Sequence, residues 1–381
     1  MKIGIDLTPL LRGKKTGVGW YAFNLIKNIR KIDKENIYVL YGSSLLKYFK
    51  KNEIKKFFKS ENFYICVKPF PCLIYNFILQ RFLPIEFLYG KFNIIHNLYP
   101  FSTFNLYGKQ IVTVHDLIPL IYPYLTEPLS FQEFKFNITK VIKRADKIIT
   151  VSYSTKKDII KFFNISPEMI EVIHLAADEI YRPIEDEKVI DYIKKRYGVD
   201  DRYILYVGTI EPRKNIPRLI DAFVIVKEKF PEYKLVLCGK IGWKSDFFYR
   251  KIREVPEKIK KDIILTGYVP LSDLPYLYNR CEVFVYPSLY EGFGLPVLEA
   301  MRCGVPVITS NVSSLPEVVG DAGILINPEN KEEIVEAILS VLNSEDLKKT
   351  LSRKGLERAK LFSWEKTAKE TIGIYKKIAQ I

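Results

Sequence analysis

Short runs rich in β-branched and aromatic residues alternate with helix-period segments along almost the whole chain, and the alternation breaks once near its middle. In the first half, strands are predicted at Lys2–Leu7, Ile37–Tyr41, Phe63–Val67, Ile94–His96, Gln110–Val114, Lys147–Val151 and Glu171–Ile173. Helical patterns fall between them at Gly19–Ile29, Leu129–Arg144 and Ser154–Phe163. Parallel strands need helical crossovers, so this alternation predicts a doubly wound α/β sheet. The polar, acidic stretch Arg182–Lys188 then interrupts the pattern and is the linker candidate. The alternation restarts with strands at Tyr203–Val207, Lys234–Cys238, Ile263–Leu265, Val283–Tyr286, Val307–Thr309 and Ile324–Ile326. Helices are predicted at Ile216–Lys229, Leu295–Arg302, Lys331–Leu342 and Asp346–Leu361. Two Rossmann-like domains in tandem follow, residues 1–182 and 183–363. Open parallel sheets bind ligands beyond the carboxyl ends of their strands, so two such sheets are expected to face a central cleft.

Composition narrows the class of partner. The 381 residues carry 59 Lys and Arg against 44 Asp and Glu, a net charge of +15. The surplus is uneven, +11 before residue 181 and +4 after it. An excess of this sign favours anionic partners: nucleic acid, a membrane surface or phosphorylated small molecules. The five cysteines include no Cys-x-x-Cys pair and are read as core thiols. Three histidines without metal-ligand spacing argue against a zinc site. The chain opens directly on a strand, and its longest uncharged run, Phe92–Gly108, is broken by Pro100 and three asparagines. A cytoplasmic protein is therefore expected, with attachment to a membrane surface left open.

Four constellations carry chemistry, each at a strand end. Glu291-Gly-Phe-Gly-Leu-Pro-Val-Leu-Glu299 runs from a loop into a helix opened by Pro296. Its glycines admit close backbone approach, the helix N-terminus offers free N–H groups, and Glu291 and Glu299 can reach separate parts of one ligand. The bland alternative is a solvated loop acid and a helix-dipole partner. Tyr206-Val-Gly-Thr-Ile-Glu-Pro-Arg-Lys-Asn215 places Arg213 and Lys214 where the next helix begins, a clamp for diphosphate, with Thr209 on the same loop. Thr16-Gly-Val-Gly-Trp-Tyr21 puts Gly17 and Gly19 before a helix after the first strand. It matches a dinucleotide fingerprint only weakly, because the preceding loop is long and the second strand lacks the ribose-binding acid. A glycine turn offering N–H groups to phosphate remains. Val114-His115-Asp116 ends a strand, so His115 and Asp116 are candidates for contacting the reacting group, against a satisfied structural histidine.

Together these stretches, with Leu265-Thr-Gly-Tyr-Val269, resemble the retaining, GT-B-fold glycosyltransferases of the group 1 class, glycosyltransferase family 4, over nearly the whole chain. The resemblance implies that Arg213 and Lys214 neutralise the diphosphate of a nucleotide sugar and that Glu299 binds the ribose. It implies that Glu291 holds the donor sugar with the Phe293, Gly294 and Leu295 amides. The backbone at Tyr268 would meet the base, and Gly17 would approach the phosphate. Thr16 stands where many relatives have a second glycine. The final helix, capped by Ser363, is expected to return residues 364–381 to the first domain.

His115–Pro123 and Gly208–Ile216 look most like bacterial mannosyltransferases building O-antigen or other surface polysaccharide, which makes GDP-mannose the expected donor ahead of UDP- or dTDP-sugars. The acceptor implied is a glycan or a polyprenyl-diphosphate-linked glycan. No cofactor and no metal are expected, since no Asp-x-Asp occurs. The segment Leu45–Lys59 has apolar residues on one helical face and six lysines, as either a sheet-covering helix or one lying on anionic lipid at the inner membrane face. An NAD-dependent two-domain enzyme and a basic nucleic-acid-binding protein are the rival classes; the missing ribose acid and the scarcity of arginine-rich helices speak against them.

Overall fold

The computed structural model describes residues 1–11, 17–44, 57–58, 60–69, 83–100, 105–126, 128–185, 188–199 and 202–380. It divides into two compact units, Met1–Leu175 with Ser363–Ile381, and Ala176–Phe362. Apart from Phe57 and Phe58, the basic segment Leu45–Lys59 lies outside the described residues, as do Thr16 and Cys72.

In the first unit the strands are β1 (Lys2–Asp6), β2 (Ile37–Ser43), β3 (Phe63–Lys68), β4 (Ile94–Asn97), β5 (Lys109–Val114), β6 (Lys147–Thr150) and β7 (Ile170–Val172). They pair in the order β3-β2-β1-β4-β5-β6-β7, every pairing parallel. Most central-strand residues are fully buried, which is why these strands read as near-continuous apolar runs rather than alternating ones. In the second unit β8 (Tyr203–Val207), β9 (Lys234–Cys238), β10 (Ile263–Gly267), β11 (Val283–Tyr286), β12 (Val307–Ser310) and β13 (Ile324–Ile326) pair in the order β10-β9-β8-β11-β12-β13. Both sheets reverse direction beside their first strand, between β1 and β4 and between β8 and β11. A doubly wound sheet offers its ligand crevice at such a reversal.

The boundary between the units falls ahead of residue 182, and the linker candidate belongs to the second unit. Contacts of the stretch before it explain why. Tyr181 is buried edge-on to Tyr278, its carbonyl accepts from Arg302 Nε, the Arg182 carbonyl accepts from Asn279, and the Ile184 amide donates to Asn279. The helix Lys188–Tyr197, which the sequence reading left out, follows directly. The sequence also passed over the Leu274–Arg280 helix, whose Pro275 and short length hide its periodicity.

The last helix, Trp364–Ala379, packs on the first unit. The Ser363 side chain accepts from the Lys366 amide as its N-cap, and Thr367 donates to the His174 carbonyl at 2.7 Å. Deeper in, Tyr375 joins a buried polar chain. His96 Nδ1 lies 2.7 Å from the Tyr375 hydroxyl and Nε2 lies 2.9 Å from Thr113 Oγ1, which lies 3.1 Å from the Tyr21 hydroxyl. Burial, reinforced by His115, pushes His96 down to about 3, so the ring is neutral and uses one nitrogen as donor and one as acceptor.

Tyr375→Phe leaves that His96 nitrogen buried without a partner. The expected cost is about 1–3 kcal/mol, read by chemical denaturation as earlier unfolding of the first unit. An unchanged midpoint would show that the chain of hydrogen bonds does not hold the helix.

Candidate active site

The second unit's reversal point gathers the loops after β8 and β11. The loop after β8 turns sharply through Gly208 and a short 3-10 turn, Pro212–Lys214, before the helix Ile216–Lys229. It passes so close to β9 that a Cβ on Gly239, whose φ is +154°, would lie 1.9 Å from the Gly208 carbonyl oxygen. Asn215 fixes the helix start in the left-handed region, φ +59°, and donates to the carbonyls of Pro287 and Pro328, joining loops from three strands.

Arg213 and Lys214 thereby meet Glu291. Lys214 Nζ lies 2.6 Å and Arg213 Nη1 2.8 Å from the same oxygen, Oε1 of Glu291, and the Ser288 hydroxyl donates to it as well. Arg213 Nη2 pairs with Glu211 at 2.6 Å, and Lys214 also donates to the Tyr286 hydroxyl. The cluster holds two cations and two anions in a largely buried setting. Burial alone would raise Glu291, yet Arg213 and Lys214 outweigh it and hold the carboxyl near 2. Burial would pull Arg213 down, and Glu291 with Glu211 instead lifts it above its usual value. Lys214 is lowered by burial and by Arg213, against the pull of Glu291. Glu291 and Arg213 remain charged near neutrality.

The loop carrying Glu291 is clamped from the turn after β12. The Glu291 amide donates to Ser313 Oγ, and Ser314 Oγ is within hydrogen-bond distance of the carbonyls of Glu291 and Phe293. Gly294, φ +112°, caps the helix Leu295–Arg302, and its carbonyl accepts from Val297 and Leu298. The Phe293 ring is buried against Phe362, so only the backbone of this residue is available to a ligand. On the helix, Glu299 Oε2 accepts from the Tyr278 hydroxyl at 2.9 Å. Burial pushes Glu299 up to about 7, with the Tyr278 and Tyr181 hydroxyls opposing it. Thr209 is exposed on the β8 loop, and Tyr268, 59% exposed just past β10, lies under the Lys240 ammonium at 5.2 Å.

The remaining candidates belong to the first unit. Gly17 is the first residue of the helix Gly17–Ile32, with nothing among the described residues within 4 Å of where a Cβ would sit, and Gly19 is buried within the same first turn. His115 follows β5, half-buried, with Nε2 donating to the Leu98 carbonyl at 3.0 Å and its ring edge-on to Tyr21 at 4.8 Å. The carbonyl can only accept, so Nε2 carries the proton and Nδ1 is the acceptor nitrogen. Burial lowers this ring to about 4, hence it is neutral. Asp116 accepts from the Ile118 amide and opens the next turn. His115 and the Gly17 helix thus share one neighbour, Tyr21.

Glu211, Tyr286, Ser288, Ser313, Ser314 and Tyr278 complete the site without having been singled out from sequence. Glu211 and Ser288 lie beside quoted motifs and were within reach of pattern reading. Ser313 and Ser314 arrive only through the pairing of β11 with β12.

A model described as "Glycosyl transferases group 1" matches residues 190–358, and one described as "Glycosyltransferase Family 4" matches residues 16–179. O-antigen chain mannosyltransferase B of Escherichia coli is 34% identical, over 99% of this chain and 100% of that protein. The chain belongs to glycosyltransferase family 4. The serotype-specific mannosyltransferase WbdA of E. coli is 35% identical over 72% of this chain, a match covering 34% of that longer protein. The crystal structure of Anabaena HepE in complex with UDP and glucose superposes with a TM-score of 0.75 at 17% identity, over 99% of this chain and 100% of that one. The fold is therefore GT-B, and the enzyme is a glycosyltransferase. Among the described residues, no helix is long and apolar enough to cross a membrane, and no three His, Cys, Asp or Glu side chains are grouped to hold a metal ion.

In this glycosyltransferase, Arg213→Ala or Lys214→Ala is expected to lower turnover about tenfold or more, since either removes preorganised positive charge. Circular dichroism should stay close to that of the parent. Near-normal turnover in both variants would contradict a role for the pair in catalysis.

Proposed function

We propose that this enzyme transfers mannose from GDP-mannose, with retention at the anomeric carbon, to a glycan or polyprenyl-diphosphate-linked glycan during surface polysaccharide synthesis. One observation carries the reading of the site. Oε1 of Glu291 is taken up by Lys214, Arg213 and Ser288. The carboxylate thus holds the cations with one oxygen and offers the other to a sugar hydroxyl. Glu299 takes the ribose, and the amides of Phe293, Gly294 and Leu295 take the donor sugar. Thr209 lies along the phosphates, and Tyr268 lies at the base. His115 and Asp116 in the first unit orient the transferred sugar, with Gly17 and Gly19 toward phosphate.

The step begins as the bond from the anomeric carbon to the diphosphate oxygen breaks. The developing charge on the leaving group falls on Arg213, Lys214 and helix amides. The acceptor oxygen bonds to the same face of that carbon and gives its proton to a diphosphate oxygen, releasing GDP. No protein nucleophile is needed. His115, neutral and fixed by Leu98, serves as a positioning group rather than as a base. Cationic side chains supply the charge stabilisation, so no divalent metal is assigned a role. The names of the E. coli relatives support mannose as the sugar; a UDP- or dTDP-sugar is the alternative within the same site.

With GDP-mannose and a short polyprenyl-diphosphate-linked glycan, proton NMR of the product should show an α-linked mannose, the donor's own configuration. Activity should survive EDTA. A β-linked product contradicts retention, and loss of activity restored only by a divalent cation contradicts metal-free transfer.

A further inference from the structure

Glu299 is enclosed by aromatic hydroxyls that no motif accounts for. Tyr278, on the helix Leu274–Arg280, is fully buried, with its ring 5.4 Å from Phe284 and 5.7 Å from Tyr181. Its hydroxyl donates to Glu299 Oε2. Tyr181 closes the other side; its buried hydroxyl has no partner at normal hydrogen-bond distance, yet it acts on the carboxylate as Tyr278 does, favouring the ionised form. The other titratable groups felt at this carboxylate are Asp178, Cys303 and Cys238. Burial keeps both thiols well above their usual range, and Asp178 is the carboxyl group that acts on Glu299 among the described residues.

Without a fixed donor, a carboxylate can rotate about its terminal bond, and rotation would spread its two acceptors over several directions. A rigid donor on one oxygen removes that freedom. The ring of Tyr278 is locked by packing, and its hydroxyl position is therefore set by the core rather than by solvent.

We propose that Tyr278 is a positioning residue for nucleotide recognition: its hydroxyl fixes Oε2 of Glu299 and so presents Oε1 to the ribose hydroxyls. The inference rests on the reading of Glu299 as the ribose ligand. A ribose diol donates to the ionised carboxylate, so nucleotide affinity rises as pH rises through the titration of Glu299. Removing the Tyr278 hydroxyl withdraws a hydrogen bond that favours the ionised form and moves that rise to higher pH.

The test is calorimetric titration of the full-length protein with GDP at pH 7 and pH 9, with UDP in a parallel arm because the ribose is common to both. Tyr278→Phe keeps the buried ring. It should weaken binding about fivefold or more at pH 7 and by less, though still measurably, at pH 9, where the carboxylate is ionised but no longer held in place. Glu299→Gln should be weak at both, and it gives the background set by the nucleotide's own phosphate titration. Adding Tyr278→Phe to Glu299→Gln should cost nothing further, as expected for a residue acting through the carboxylate. Parent-like binding by Tyr278→Phe at both pH values, with Glu299→Gln weak, overturns the inference and leaves the ribose reading standing. An equal loss at both pH values, or a further loss in the double variant, makes Tyr278 merely structural and also overturns it. Parent-like binding by Glu299→Gln, or a parent protein that binds neither nucleotide, overturns the ribose reading and the inference with it.

Discussion

One carboxylate oxygen organises the second unit's site. Oε1 of Glu291 receives a lysine, an arginine and a serine hydroxyl, and it does so inside a largely buried cluster. Two cations on adjacent residues repel each other and lose hydration when buried, so neither would sit there without anionic partners. Glu291 and Glu211 supply them, and the four charges cancel formally. The geometry of the loop after β8 and of the loop after β11 is thereby coupled, because neither charge set can move without stranding the other. That coupling is what preorganisation means physically: the positive groups are already in place, and already desolvated, before any leaving group develops charge.

The same sheet order appears in both units, yet the two reversal points are furnished differently. In the second unit, paired charges and a glycine-capped helix stand at the strand ends. In the first stand a histidine lowered by burial with Asp116 beside it, a glycine-opened helix, and a tyrosine between helix and histidine. The C-terminal helix reinforces this unit through Tyr375, His96 and Thr113. The overall +15 concentrates in the first half of the chain, whereas the cations placed at the site belong to the nearly balanced second half. Net charge and site charge are separate properties of this molecule.

Much of the fold was legible because buried parallel strands leave an uninterrupted apolar signal. β8, β9, β11 and β13 run over the residues their sequence pattern delimits, as do the helices Ile216–Lys229, Leu295–Arg302 and Lys331–Leu342. Short helices such as Leu274–Arg280 escaped, since one or two turns carry too little periodicity. The boundary near residue 182 was misplaced for a related reason. Charge and proline marked Arg182–Lys188 as a linker, but Tyr181 and the backbone at Arg182 and Ile184 are secured by Arg302, Tyr278 and Asn279, which lie far along the chain. In the site, Arg213, Lys214, Glu291 and Glu299 were readable because each stands in a dense local motif. Ser313, Ser314 and Tyr278 were not, because their roles arise only from strand order and helix packing. Motifs announce the groups that touch a ligand; the groups that aim them come from tertiary structure.

The most direct test of the central claim is a thermal-shift panel with GDP, UDP, dTDP, ADP and the corresponding nucleotide sugars. A ligand that binds the native state raises its apparent stability by mass action. The proposed function predicts a clear upward shift with GDP and GDP-mannose, exceeding that of the other bases. A panel in which no nucleotide or nucleotide sugar moves the transition would contradict the assignment of the Arg213–Lys214–Glu291 cluster as a nucleotide-sugar site.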